Sequence, residues 1–336
     1  MSTQNQLSRY GAIARPVDVP IGAKLFLVSD SDDTTVGPAN IASEFPVDNE
    51  GVVRVYTTIQ VASNAGSASR GDVVAVLPGY DHTLSRTDSW ATAGINVIGL
   101  GEGMNRPIIR YGTATDEVGL KGNNIRVKNL RFLADADSVA RGLDLDTGYS
   151  GGIVENCIFD FDSNASNFVT MVRVGQSKAV IQNNEFWAED TAGAGKGVEL
   201  LGGYADFLKV RNNYFYGQFD TVGDTTNNAA AIAIAVSHDS GDTILSGVEI
   251  SGNTIVSTDT AAAVLIQLNA TAISPIRGVV RDNNLISYDT AAADTDQVNF
   301  GATGGFLPLN NYHIDGDSDI QQSIVGRVQL VGIKDS

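Results

Sequence analysis

IRVKNLRF (residues 125–132), GIVENCIF (152–159), AVIQNNEF (179–186) and LKVRNNYF (208–215) are four versions of one unit. Each is a short apolar run, a turn residue and, three positions later, a phenylalanine. With Asn129, Asn156, Asn183 and Asn212 as the reference, Val127, Val154, Ile181 and Val210 stand two residues before. Phe132, Phe159, Phe186 and Phe215 stand three after, and the units are spaced by 27, 27 and 29 residues. A fixed period of this size, with β-branched strands and a polar turn in every unit, is the signature of a stacked β-solenoid.

The period extends in both directions. Gly99 occupies the turn position upstream, and Gly252, Asp282 and Asn311 continue it downstream, so about eight coils are expected. Every turn residue is Gly, Asn or Asp, the types that tolerate left-handed backbone at low cost. The position after the turn is Asn184, Asn213, Asn253 and Asn283 in four successive coils, which predicts a stacked asparagine ladder. Parallel pairing puts equivalent residues about 4.8 Å apart, so Phe132, Phe159, Phe186 and Phe215 are expected to form an internal aromatic column. A second apolar strand follows each turn by about 16 residues, at 143–145, 170–174, 198–201, 231–236 and 264–268.

The flanks differ from the repeat. Residues 1–54 carry Pro16, Pro20, Pro38 and Pro46 and a single strand-like stretch, KLFLVSD at 24–30, so they read as an extended arm contacting a neighbouring subunit or another protein. Thr57 with Gln60 suggests a capping box and a short helix over 57–68. That helix is placed over the first coil of the solenoid body, 55–314, whose open end needs a cap. Residues 315–336, with the apolar run SIVGRVQLVGI, are assigned as a C-terminal cap or a tail swapped onto a neighbour.

Composition narrows the partners. The formal charge is −17 over 336 residues and there is no Lys/Arg run, which argues against a nucleic-acid backbone as partner. The chain has no apolar run of membrane length and no signal-peptide layout at MSTQNQLSRY, so a product made in the host cytoplasm without membrane contact is expected. The single cysteine, Cys157, is read as a small packing residue.

Candidate chemistry is sparse. Six residues after their turns stand Asp162 and Glu189, in adjacent coils, with Asp160, Asp190 and Asp220 nearby. Stacked carboxylates suit a glycosidase or a calcium site, and this pair is kept as the catalytic candidate although acids beside β-turns are more often solvated. Arg173, Arg211 and Arg281 fall at unrelated offsets. His82, His238 and His313 are scattered in the repeat frame, Asp30, Asp32 and Asp33 fit no loop motif, and Asp315, Asp317 and Asp319 lack the Gly that a calcium loop requires. No metal or cofactor is therefore expected. Trp90 and Trp187 are candidates for a sugar-stacking platform.

The period, the capping helix and the asparagine ladder resemble the right-handed parallel β-helix of the pectate-lyase-like superfamily. More narrowly, FPVDNEGVVRVYTTIQVA (45–62), RGDVVAVLPGY (70–80) and INVIGLGEGMNRPII (95–109) resemble bacteriophage virion proteins of β-helix type, including head decoration, or cement, proteins. The resemblance implies a non-enzymatic homotrimer on the capsid surface, bound to the major capsid protein. The alternative it leaves is a tailspike-like protein that binds or depolymerises a glycan beside residues 217–247.

Overall fold

In a computed structural model the described residues are 19–20, 22–29, 54–84, 87–163, 165–188, 195–201, 204–219, 230–234, 245–258, 265–268, 276–287, 298–299, 305–314 and 320–322. They form an all-β right-handed parallel β-helix. Three long sheets of 11, 10 and 8 strands run along it, each strand hydrogen-bonded to its equivalent in the coils before and after. The repeat visits the sheets in turn: Ile153–Glu155 in the first, Ile158–Phe161 in the second and Thr170–Val174 in the third, then Val180–Gln182 back in the first. Pairing is parallel in all three sheets except at the end, where Ile320–Gln322 runs antiparallel to Tyr312–Ile314.

The interior follows from the pleat. In the first sheet Val97, Val127, Val154, Ile181, Val210, Ile250 and Val280 all point inward and are buried. In the second, the rings of Phe132, Phe159, Phe186 and Phe215 stack at centroid distances of 4.9, 5.0 and 4.5 Å, within 12° of parallel. The near-parallel geometry is imposed by the strand spacing, because identical residues in register have no room to tilt edge-on.

Between the first and second sheets the chain turns on one left-handed residue. Asn129, Asn156, Asn183, Asn212, Gly252 and Asp282 have φ between 52° and 64°. Two positions differ from the sequence reading. Gly99 is not left-handed; glycine is needed there because any side chain would collide with the carbonyl of Asn129 in the next coil. In the last coil the left-handed residue is Asn310, and Asn311 occupies the ladder position that follows it. The shorter final spacing, 28 residues from Asp282, sets this register.

The ladder runs through Asn184, Asn213, Asn253, Asn283 and Asn311, all buried. Asn213 shows the pattern. Its Oδ1 accepts from the backbone N–H of Asn184 at 3.0 Å, and its Nδ2 donates to the Ile181 carbonyl and to Asn253 Oδ1, both at 3.0 Å. Upstream the same slot is filled by buried Leu130 and Cys157, so the ladder begins only where Cys157 N–H donates to Asn184 Oδ1 at 2.9 Å. Burial pushes the Cys157 thiol up to about 12, and a neutral, fully enclosed thiol of this kind is packing rather than a nucleophile.

The N-terminal end departs from the expected layout. The helix spans Ile59–Asn64, shorter than 57–68, and its cap is Thr58, whose Oγ1 accepts from Val61 N–H at 3.3 Å. Ile59 and Ala62 are buried in the core with Phe26, Val28 and Trp90. Leu25–Val28, inside the stretch assigned to the arm, is a rung of the first sheet, between Val55–Tyr56 and Val73–Val76. Its apolar residues are consumed by that pairing, so the first sheet starts three rungs before the strand Asn96–Gly99. Residues 1–18, 30–53 and 323–336, with the acidic cluster at Asp30, Asp32 and Asp33 and most of the expected C-terminal cap, lie outside the described residues.

Two substitutions test this core. Phe186→Ala is expected to cost about 3–5 kcal/mol in reversible denaturant unfolding; a loss below about 1 kcal/mol would place the column outside the core. Asn213→Ala leaves the Ile181 carbonyl and the Asn184 N–H without this partner, while Asn253 Oδ1 keeps the backbone N–H of residue 213; the change is expected to cost about 3 kcal/mol in the same experiment.

Candidate functional site

The outer faces of the sheets carry the charged side chains, and register decides which of them meet. In the third sheet Asp144 of Leu143–Leu145 stands opposite Arg173 of Thr170–Val174, and Arg173 opposite Glu199 of Lys196–Leu200. Gly119 precedes this column and Ala233 follows it. Arg173 donates to Asp144 through Nε at 2.9 Å and through Nη2 in a second, shorter bond. Arg141 reaches Glu117 at 3.2 Å and Asp144 at 3.8 Å, and Lys196 Nζ donates to Glu199 Oε1 at 2.7 Å.

Asp144 is only 3% exposed. An ionised carboxylate that deeply placed requires its cations, and the bidentate guanidinium supplies both charge and fixed geometry. Burial pulls the Arg173 guanidinium down, but the hydrogen bonds and charge of Asp144, with Glu199 and Glu117 adding theirs, outweigh it and hold the group above its ordinary value. A column in which both carboxylates are engaged by cations is a clamp between coils; it offers no free base or proton donor for acid–base chemistry.

Sequence offsets did not reveal this column. Asp144, Arg173 and Glu199 lie 15, 17 and 16 residues after Asn129, Asn156 and Asn183. The loop between the second and third sheets changes length from coil to coil, so a fixed offset from the turn misses residues that the pairing aligns. Arg173 is thus in register with acids, contrary to the sequence reading.

Of the sequence-derived carboxylate pair only Asp162 lies among the described residues. Asp162 accepts from Arg110 Nη1 at 3.0 Å, and the same guanidinium holds Asp81 with bonds of 2.7 and 3.0 Å. Glu189, Asp190 and Asp220 lie outside the described residues, as do His238 and the run 315–319. Asp160 is paired with Arg131 at 2.6 Å. Among the described residues no three His, Cys, Asp or Glu side chains come together as a metal site.

The first sheet repeats the pattern. Glu155 is gripped by Arg126, by Lys128 at 3.2 Å and by Gln182 Nε2 at 2.9 Å. Arg211 continues to Gln182, and Arg281 reaches Glu249 at 2.8 Å. Burial alone would raise Glu155, yet the hydrogen bonds from Gln182, Arg126 and Lys128 and the charge of Arg126 set it below the usual glutamate value.

The two tryptophans separate cleanly. Trp90 is fully buried under the capping helix and is no surface platform. Trp187 lies on the outer face of the second sheet, 5.6 Å from the Tyr214 ring and 5.4 Å from the Tyr216 ring, with its Nε1 donating to Glu185 Oε2 at 3.2 Å.

Arg173→Met is expected to cost about 3–5 kcal/mol by stranding buried Asp144, whereas Asp144→Leu with Arg173→Met recovers most of the loss; thermal or denaturant unfolding distinguishes the two. Because the folded pKa of Glu155 is depressed, its stabilising contribution is fully present above the ordinary value of 4.5 and is lost as pH falls through the lowered one. Glu155→Gln should therefore flatten the acid limb of the stability–pH curve below about pH 4.5.

No family model matches the chain and no curated protein matches it. Among solved structures, Escherichia coli YbhC superimposes with a TM-score of 0.52 over 94% of this chain and 92% of that one, at 15% identity. Pectate lyase Pel9A is aligned over 93% of this chain and 81% of its own, with a TM-score of 0.42 and 12% identity. The likeness to YbhC over nearly the whole of both chains is one of fold: this chain is a parallel β-helix.

Proposed function

We propose that this protein is a structural component of a bacteriophage virion, a capsid decoration protein that binds the outer head as a homotrimer and stabilises the shell through contacts with the major capsid protein. The observation that carries the reading is the engagement of the outer-face acids. Asp81, Asp144, Asp160, Asp162, Glu155, Glu199 and Glu249 are each tied to a cation, five of them by a residue of an adjacent coil. The five inter-coil pairs brace one coil against the next, which suits a bridging protein.

The three segments 45–62, 70–80 and 95–109 support the virion assignment through their resemblance to β-helix decoration proteins. A rigid multimer engaging several capsid subunits gains avidity from effective concentration without stronger individual contacts, and resists separation of those subunits. A negative net charge suits docking on a basic shell surface.

The test is attachment. Removing residues 1–18 leaves the rung Leu25–Val28 in place. That truncation is expected to keep the thermal transition and lose binding to capsids stripped of the protein; full capsid binding by the truncated chain overturns the role of the arm. Cryo-electron microscopy of the particle decides head against tail. If Asp162→Asn abolished release of sugar from a host-surface polysaccharide, the depolymerase alternative would replace this reading.

A further inference from the structure

Along the second sheet the outward residues change character at one coil. The strands Asp81–Leu84, Ile108–Tyr111, Arg131–Ala134, Ile158–Phe161 and Glu185–Trp187 present Asp81, Arg110, Arg131, Asp160 and Glu185. The four that follow, Tyr214–Gly217, Thr254–Ser257, Asn284–Ser287 and Tyr312–Ile314, contain no Asp, Glu, Lys or Arg at all. Their inward positions, Phe215, Ile255 and Leu285, are core. The outward ones are Tyr214, Tyr216, Thr254, Asn284 and Ile286, with Val256 at an outward position but buried, and the strip ends in Tyr312, 52% exposed.

Trp187 joins this strip at its start. Tyr214 and Tyr216 lie 14° from parallel with centroids 6.4 Å apart, and the indole leans on both. Four steps of about 4.8 Å between its five coils make the strip roughly 19 Å long, parallel to the axis of the rod.

We propose that this strip is a self-association surface, occupied by another copy of the same chain. The choice of occupant follows from charge. Two copies that each carry −17 repel one another, so close side-by-side contact is least opposed where neither presents an ionised group. A basic partner, by contrast, gains nothing from an uncharged face and is drawn to acids elsewhere. The composition, rich in Trp and Tyr and free of charge, is that of the core of a protein–protein interface. A strip parallel to the rod axis lets two rods align along their length, with each coil adding contact.

The inference deepens the homotrimer in the proposed function and rests on it. The experiment is sedimentation equilibrium of the full chain over a micromolar concentration series, beside its double variant Asn284→Arg with Tyr312→Lys. Both sites are exposed, so the variant is expected to keep the wild-type circular dichroism spectrum. Lys209→Gln, exposed on the first sheet, is the control. Wild type and control are expected to associate alike, and the double variant at least roughly 100-fold more weakly, because the charges must be buried or the contact broken.

Association of the folded double variant equal to wild type overturns the assignment of this face and leaves the decoration reading standing. A monomeric wild type overturns self-association, and a change in Trp187 emission on adding a neutral oligosaccharide then assigns the strip to a glycan. Should the strip variant dissociate while the wild-type multimer ignores stripped capsids, the self-association surface stands and the decoration reading fails.

Discussion

Every coil of this protein must turn its backbone through a dry interior without leaving a peptide group unsatisfied. The corner between the first and second sheets meets that demand with two adjacent residues of different kinds. One is left-handed, and Asn serves because its short polar side chain tolerates the conformation and bonds to its equivalent in the adjacent coil: Asn156 Nδ2 donates to Asn129 Oδ1 at 2.8 Å. The next points inward, and from Asn184 onward its carboxamide joins one coil's backbone to the next. A carboxamide has both donors and acceptors, so a stack of them satisfies itself, which a stack of carboxylates or hydroxyls cannot do equally well. The regular spacing of the phenylalanine column goes with the left-handed Asn that recurs at Asn129, Asn156, Asn183 and Asn212.

The same register that builds the core sorts the surface. Residues of one outward column lie close enough for ion pairing from coil to coil, so the net charge of −17 is not spread evenly. Several of the described cations are committed to acids in other coils, as in Arg110 with Asp81 and Asp162, Arg173 with Asp144, and Arg281 with Glu249. Pairs between partly exposed groups contribute modestly to stability. Asp144 and Glu155 are different, because their burial makes the partner obligatory. What remains for function is then where the columns lose their charge or the chain leaves the repeat.

The fold was legible because a solenoid writes its periodicity into the sequence. Val127, Val154, Ile181 and Val210, with the turn residue two positions on, set the phase, and the length of the unit excluded a sandwich. Less was legible at the ends. Thr57 with Gln60 fits a capping box on paper, yet burial of Ile59 against the first coils makes Thr58 the cap. KLFLVSD looked like a lone strand in an arm because its partners, Val73–Val76 and Val55–Tyr56, lie far along the chain and on opposite sides of it in the sheet. Trp90 and Trp187 are indistinguishable in sequence, yet one is in the core and the other on the surface.

The sequence by itself determined the coil, its turn chemistry and its inward residues, since these are a local pattern repeated every 27 to 30 residues except for the 40 between Asn212 and Gly252. Which charged residues meet was decided only in three dimensions. The loop between the second and third sheets varies in length, so Asp144, Arg173 and Glu199 have no common offset and are aligned by strand pairing alone. The uncharged face running from Trp187 to Tyr312 has the same origin. Its residues are scattered over more than a hundred positions, and they form one surface because parallel pairing stacks equivalent positions one coil apart.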